Sequence, residues 1–375
     1  MQQSSEYMRF NSSPHFSLGV EIEFQVLDKN TLNLAPLAPL LLENSPKILA
    51  PRITQEFMQS ILELQTGICS NVRDVENDLM ETCSMAEELA EENGCLLYAS
   101  SLHPFAKYSD QQLTEDDRYK RIMDELQIVG RKFISQGLHV HIGVNDGDTA
   151  MRVCNVLQLY LPLLLSLSAS SPFSAGKDTG LLSYRTKLFE VLPLAGIYDY
   201  FSDWQQFNKE INRLKGYGVI ESLRDLWWDA RPNPDFGTIE VRICDLPGRF
   251  ADILALVAFI QALVAYIAKE RKEHYPFNQQ ILRANKWQAV RHGLAGGFVD
   301  YSNVLSNSRI VAKKAVELLY DKIRPYANDF GSAEYLEMIK RILQCGTSAE
   351  YQKKMYADNG SFEKVIMQTH QEFWQ

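Results

Sequence analysis

Three short stretches of the chain alternate apolar and polar residues with a period of two, the spacing of a strand whose successive side chains face opposite sides. In "VEIEF", Val20, Ile22 and Phe24 alternate with Glu21 and Glu23; in "LHVHI", Leu138, Val140 and Ile142 alternate with His139 and His141; in "IEVRI", Ile239, Val241 and Ile243 alternate with Glu240 and Arg242. Each predicts a strand with one apolar and one ionisable face. A period near 3.6 over residues 72–93 predicts an amphipathic helix, with Val72, Val75, Leu79 and Ala86 near one face and Gly94 as its stop signal. Further helices are expected over 116–128, from 148 to about 167, over 253–268 and through most of the C-terminal part, and "CLLYASSLHPF" predicts another strand.

The segment "ITQEFMQSILELQTGIC" fits either helix or strand. Glu56 and Glu63, seven apart, share a face on a helix, oppose each other on one straight strand, or sit on two short elements. Residues 169–185, "ASSPFSAGKDTGLLSYR", read as a long polar loop of the kind that often carries function. No linker interrupts the pattern. The expectation is one α+β domain over residues 17–375, its strands drawn from distant segments, after a flexible tail over residues 1–16.

Composition narrows the partners. With 38 basic and 47 acidic residues the formal charge is −9, which argues against nucleic acid or an anionic membrane as the binding partner. An anionic substrate must then meet local arginines or metal ions, and Arg185, Arg231, Arg242 and Arg291 are the candidates. Six cysteines lack C-x-x-C spacing and the first residues carry no apolar signal core, so reduced thiols in the cytoplasm are expected. The most apolar run, residues 253–268, is broken by Gln261 and falls short of the roughly 20 residues of a membrane span. It predicts a buried helix and no membrane role.

One strand with an ionisable face is what any half-solvated sheet gives. A solvated face, however, usually mixes Lys, Thr, Ser and Gln, whereas these three hold carboxylates, imidazoles and an arginine with no lysine. Such faces suit a shared cavity in which cations neutralise neighbouring carboxylates. Carboxylates with one histidine fit Mg²⁺ or Mn²⁺; the close histidine spacing typical of Zn²⁺ sites, such as H-E-x-x-H, is absent. No phosphate-binding glycine loop and no G-x-S-x-G nucleophile turn is found.

The blocks "LGVEIEFQVLD", "SSLHPFAKYSDQQLTEDDRYKRI", "GLHVHIGV", "ASSPFSAGKDTGLLSYRTKLF", "WWDARPNPDFGTIEVRICDLP" and "NKWQAVRHGL" occur in an order that resembles the carboxylate-amine ligase family, also called type 2 glutamate-cysteine ligase. The resemblance covers most of residues 17–300 and implies a glutamine synthetase-like fold: a curled antiparallel sheet forming a funnel-shaped active site, packed with helices. It implies Mg²⁺ or Mn²⁺ held by Glu21, Glu23, Glu56, Glu63, His139 and Glu240, with ATP as co-substrate. Ile22 stands where many relatives have a third glutamate, on the face turned from the site.

The activity implied is ATP-dependent joining of an amino-acid carboxylate to an amine through an acyl phosphate, nominally glutamate and cysteine, by a homodimer. Arg242, Glu240 and Arg185 would act on the reacting groups, and Arg242, Arg291 and Arg231 would meet the nucleotide. Arg185 and Arg231, with His103 and His141, would meet the small-molecule substrates, although His103, preceding a proline, can equally cap a chain end. Gly176, Asp178, Thr179 and Gly180 would form a lid, and Trp227 and Trp228 would stack on adenine or fill the core. Two other classes compete: a metal-dependent phosphotransferase or hydrolase on the same sheet, and a non-catalytic metabolite-binding protein, which should have lost these ligands.

Overall fold

The alternation at residues 18–28 builds the longest strand, β1 (Leu18–Asp28). The computed structural model describes residues 7–272 and 276–375. Six further strands join β1: β2 (Ile53–Gln55), β3 (Ile61–Gln65), β4 (Cys95–Tyr98), β5 (Leu138–Gly143), β6 (Ala230–Asn233) and β7 (Thr238–Val241). They form an antiparallel sheet in the order β6–β7–β5–β1–β3–β2, with β4 also paired to β1. Because β1 is long, β5 pairs along Leu18–Ile22 while β4 pairs along Gln25–Asp28.

The apolar face of the sheet is the core. Val20, Ile22, Phe24, Leu138, Val140, Ile142, Ile239 and Val241 are buried in one cluster with helices α1 (Val72–Glu92) and α5 (Phe250–Glu270). That cluster runs from Phe16 to Phe373. Helix α1 starts where Asn71 accepts the amide of Asp74, satisfying one of the free N–H groups of its first turn. The apolar run of α5 extends to 21 residues, long enough to cross a membrane, yet 94% of its most apolar window is buried within the protein. The carboxamide of Gln261 donates to the Phe16 carbonyl at 2.9 Å, which satisfies its donor inside the core.

Three expectations change and one left open is settled. The single helix over 148–167 is two, α3 (Gly147–Leu157) and α4 (Leu161–Ser168), bent by 66°. Pro162 lies in the first turn of α4, where its missing N–H costs least. The ambiguous segment becomes the β2–β3 pair, with Glu56 just beyond β2 and Glu63 in β3. The polar loop holds a hairpin of Phe173–Ser174 with Lys177–Asp178, turned by positive φ at Ala175 and Gly176. Of the expected tail, residues 1–6 lie outside the described residues. Met8, Asn11, Ser13 and Phe16 are instead laced by main-chain N–H groups to Asn208, Pro234, Val144 and Gly143, so this stretch is a strap across the sheet's end.

Candidate active site

The second face of the sheet brings the ionisable residues together by register alone. Glu23 lies opposite Glu63, Glu21 opposite His139, His141 opposite Glu240, and Glu240 opposite Arg231. Cross-strand neighbours lie about 5 Å apart, close enough for every adjacent pair to interact. With Glu56 and Arg242 they line a cavity of about 470 Å³.

Among the described residues, two sets of side chains could each hold a cation: Glu21 with His139 and Glu240, and Glu23 with Glu63 and His139. Within each set the ligand atoms lie within 4.8 Å of one another. Like charges so close are mutually repulsive in a buried site. Burial, then Glu56, pushes the Glu23 carboxyl up to about 8. Burial likewise raises Glu56, and burial with three neighbouring carboxylates raises Glu63 well above the usual range. Glu21 goes the other way: burial opposes ionisation, but the neighbouring His139 and His141 imidazoles outweigh it.

His139 donates from Nδ1 to Glu21 at 3.1 Å. This leaves Nε2 buried and without a hydrogen-bond partner, 3.8 Å from a Glu23 oxygen. Burial, reinforced by Arg242, holds this imidazole down to about 4, so it is neutral at pH 7 and its free lone pair can serve a cation. An orphaned nitrogen among compressed carboxylates is a donor set that fits a divalent metal. His141 Nδ1 lies 2.9 Å from the Thr238 hydroxyl, and its Nε2 lies within ion-pair range of Glu21, at 3.2 Å, though without a hydrogen bond.

Glu240 is compensated by arginines. Arg231 grips it with two N–H groups at 2.8 and 3.1 Å, and Arg242 pairs with the same carboxylate. Although burial acts against it, the two arginines hold this carboxyl well below its ordinary value.

Arg185 is buried behind the floor of the cavity. Its guanidinium lies 3.4 Å from the carbonyls of Arg242 and Ile243 and 4.6 Å from the Phe189 ring centre. It fits only because residue 137 is glycine: a Cβ there would fall 2.3 Å from Nη2. Asp245 anchors this region by accepting the Ser170 amide and the Ser171 and Ser183 hydroxyls at 2.7 to 2.9 Å. The 169–185 loop therefore holds Arg185 from behind.

Several expected residues stand elsewhere. His103 does not line the cavity: Nε2 donates to the Leu32 carbonyl at 2.8 Å and Nδ1 accepts the amides of Phe105 and Ala106, so the ring caps a turn. Arg291 is exposed on helix α6 (Gln279–His292) and does not line the cavity either. The lid expected at Gly176, Asp178, Thr179 and Gly180 is tied elsewhere, with Gly176 on the Pro104 carbonyl and Asp178 paired to Lys353 at 2.9 Å. Trp228 stacks on Tyr198 at 4.3 Å in the core, whereas Trp227 lines the cavity.

Other lining residues escaped the sequence reading. Asn233 extends the polar face of β6 two residues beyond Arg231, a period-two signal present in "RPN". Arg118, Tyr119, Ile122 and Leu126 line the cavity from helix α2 (Asp117–Leu126). Their helical spacing is visible in the sequence, but nothing local says that this face looks onto the sheet.

Comparison with known proteins gives the family and the fold. The family model described as glutamate-cysteine ligase family 2 matches residues 17–368. A Gloeobacter violaceus protein named "Putative glutamate--cysteine ligase 2" is 38% identical over 363 residues, covering 95% of this chain and 96% of its own. One of the same name from Solibacter usitatus is 34% identical over 357 residues, covering 94% and 92%. The crystal structure of a glutamate–cysteine ligase from Francisella tularensis in complex with AMP shares the fold with a TM-score of 0.72 at 15% identity, covering 97% of this chain and 90% of that one. The family match over nearly the whole chain, with relatives above 30% identity along its length, means that this chain belongs to the glutamate–cysteine ligase family 2.

Proposed function

We propose that the protein is an ATP-dependent carboxylate–amine ligase that forms an amide or peptide bond through an acyl phosphate, in the cytoplasm, where its free cysteines stay reduced. The observation that carries this reading is the pairing of two cation-binding sets, sharing His139, with Arg231 and Arg242 in one cavity. In this reading Glu21, Glu23, Glu56, Glu63, His139 and Glu240 hold divalent cations of the Mg²⁺ or Mn²⁺ class. Such ions, when bound, neutralise phosphate oxygens and the charge that develops as the γ-phosphoryl group moves.

The protein's own groups do the rest. Arg242, whose side chain pairs with Glu240, is the arginine placed to meet the phosphates, while Arg231, bonded also to the Leu223 and Leu226 carbonyls, holds Glu240 in place. Arg185 supplies a fixed positive charge beneath Glu23 and His139 that favours the ionised form of Glu23 and offsets part of the negative charge of that floor. A substrate carboxylate oxygen attacks the γ-phosphorus and ADP leaves with the electrons of the broken bond. An amine nitrogen then attacks the acyl carbon, phosphate leaves, and the nitrogen gives up a proton. The relatives' names make glutamate and cysteine the nominal pair, and the AMP complex of the structural neighbour supports an adenine nucleotide.

The test is ADP release with acids and amines supplied singly and together. A ligase releases ADP only when both are present, and Glu23→Gln or Glu240→Gln abolishes it while the protein stays folded. ATP hydrolysis that ignores the substrates would make the protein a hydrolase, and a stable phosphorylated product a phosphotransferase.

A further inference from the structure

The cavity opens at one corner of the sheet. Of the residues that line it, only Arg224, Asp235 and Phe236 are exposed, so its mouth lies at the turn between β6 and β7. One face of the hairpin leads there from inside: Arg242, Glu240 and Thr238 follow one another at steps of about 7 Å, and Phe236 comes next, in the turn. Phe236 is 60% exposed, and its one ring contact among the described residues is a T-shaped one with His141, 5.8 Å between centres. Trp227 also lines the cavity, but it packs against an apolar cluster that includes Phe57 and Ile61. Phe236 therefore presents a free aromatic face where a ligand enters.

That ring is held from outside the cavity, by the strap. The main-chain N–H of Asn11 donates to the Pro234 carbonyl at 2.9 Å, its carboxamide donates to that of Asp235 at 2.8 Å, and the Ser13 hydroxyl donates to that of Phe236 at 2.5 Å. The Phe236 amide in turn donates to the Asn233 side chain at 3.2 Å. The strap lies so close that a Cβ on Gly237, whose φ is 64°, would fall 2.2 Å from the Asn11 carbonyl oxygen, and one on Gly143 would fall 2.3 Å from that of Pro14. A turn tip is ordinarily the loosest part of a hairpin. Here three consecutive carbonyls are anchored, and the Phe236 ring leaves from a fixed point. The strap lies before residue 17, where the family match begins, so the match itself says nothing of it.

Resting on the ATP-dependent reading, we propose that Phe236 is the platform for the nucleobase and that the strap, residues 8–16, is the element that positions it. Phosphates met by Arg242 and by cations on Glu240 lie inside, so the nucleoside end of the molecule points to the mouth. A base brings there the flat apolar face that an exposed aromatic ring covers. The strap touches no ligand itself and acts through the turn.

Calorimetric titration of the full-length protein with Mg²⁺ tests this by comparing a non-hydrolysable ATP analogue with inorganic triphosphate, which has no base. Phe236→Ala should weaken the analogue about tenfold or more and triphosphate by less than about twofold, and Phe236→Tyr should restore the analogue. Asn11→Ala combined with Ser13→Ala should weaken the analogue about fivefold and spare triphosphate. The same pair should add nothing once Phe236 is alanine, a coupling that a merely loosened fold does not produce. Ser13→Ala alone serves if the double variant does not fold. The proposal is overturned by unchanged analogue binding in Phe236→Ala, as when the base sits on Trp227, by equal weakening of triphosphate, by additive effects of strap and ring, or by no binding of the analogue to the unaltered protein. The ligase reading fails separately, by the absence of amine-dependent ADP release from any pair, and that result would leave the analogue binding as measured.

Discussion

Glu23 shows how one side chain can work against the fold that holds it. Opposite Glu63, and raised to about 8, it is a carboxyl that the metal-free protein keeps protonated at neutral pH. Glu23→Gln keeps the shape and an acceptor for the Gly137 amide, which now donates to a Glu23 oxygen at 2.6 Å, and removes a like charge. We expect that variant, metal-free at pH 8, to be more stable by about 1 kcal/mol in denaturant titration, the scale of a typical single-site stabilisation, while its ligase rate drops at least 100-fold. Unchanged activity would remove Glu23 from the site. His103 is the opposite case, since burial lowers it to about 4 against 6.5 when exposed. The folded protein therefore binds fewer protons than the unfolded chain between those values, and this contribution, about 3 kcal/mol in full, is lost as pH falls from 6.5 through 4. His103→Gln should flatten that acid slope in denaturant melts; an unchanged slope would assign it to other groups. The sequence could show that Glu21 and His139 share a face, because period two is local. It could not show that His103 belongs to a turn, because its acceptor is the Leu32 carbonyl, 71 residues away.

Among the elements, the strands were legible and the cover was not. Alternation in β1, β5 and β7 fixes which residues face together wherever those strands pair. The β2–β3 segment resisted because a chain reversal between two short strands has no single period. A lid is expected at Gly176, Asp178, Thr179 and Gly180 because an acyl phosphate must be kept from water, yet the loop's buried serines gather on Asp245 and its length serves to carry Arg185 under the floor. Asp245→Ala strips three hydrogen-bond donors of their acceptor and removes the counter-charge that acts most strongly on Arg185. We expect a loss of about 3 kcal/mol in urea unfolding, with a fall in activity not restored by added Mg²⁺. A loss below about 1 kcal/mol would mean that this network does not anchor the arginine. Helix α2 escaped notice as a cavity wall because its amphipathic face matches any surface helix; only the folded chain shows it opposite the sheet.

For the whole molecule, the gathering of carboxylates ties stability to pH and to cations together. Glu23, Glu56 and Glu63 are all raised, so in the metal-free folded state these three groups hold more protons than in the unfolded chain. Stability from Glu23 is complete below about 4.5 and declines as pH rises through about 8, and Glu56 and Glu63 act in the same direction. Mg²⁺ should offset that decline and displace protons as it binds. Calorimetry at pH 7 in two buffers of different ionisation enthalpy should report proton release on Mg²⁺ binding, and binding without proton release would contradict the raised carboxyls.

The central claim is that a substrate carboxylate is activated by phosphorylation, and the fate of its oxygen tests that most directly. With an acid substrate labelled with ¹⁸O in its carboxylate, turnover with ATP and an amine should transfer one ¹⁸O to each phosphate released, detected by ³¹P NMR or mass spectrometry. Phosphate carrying no label, its new oxygen coming from water, would contradict the acyl phosphate and with it the ligase account of this site.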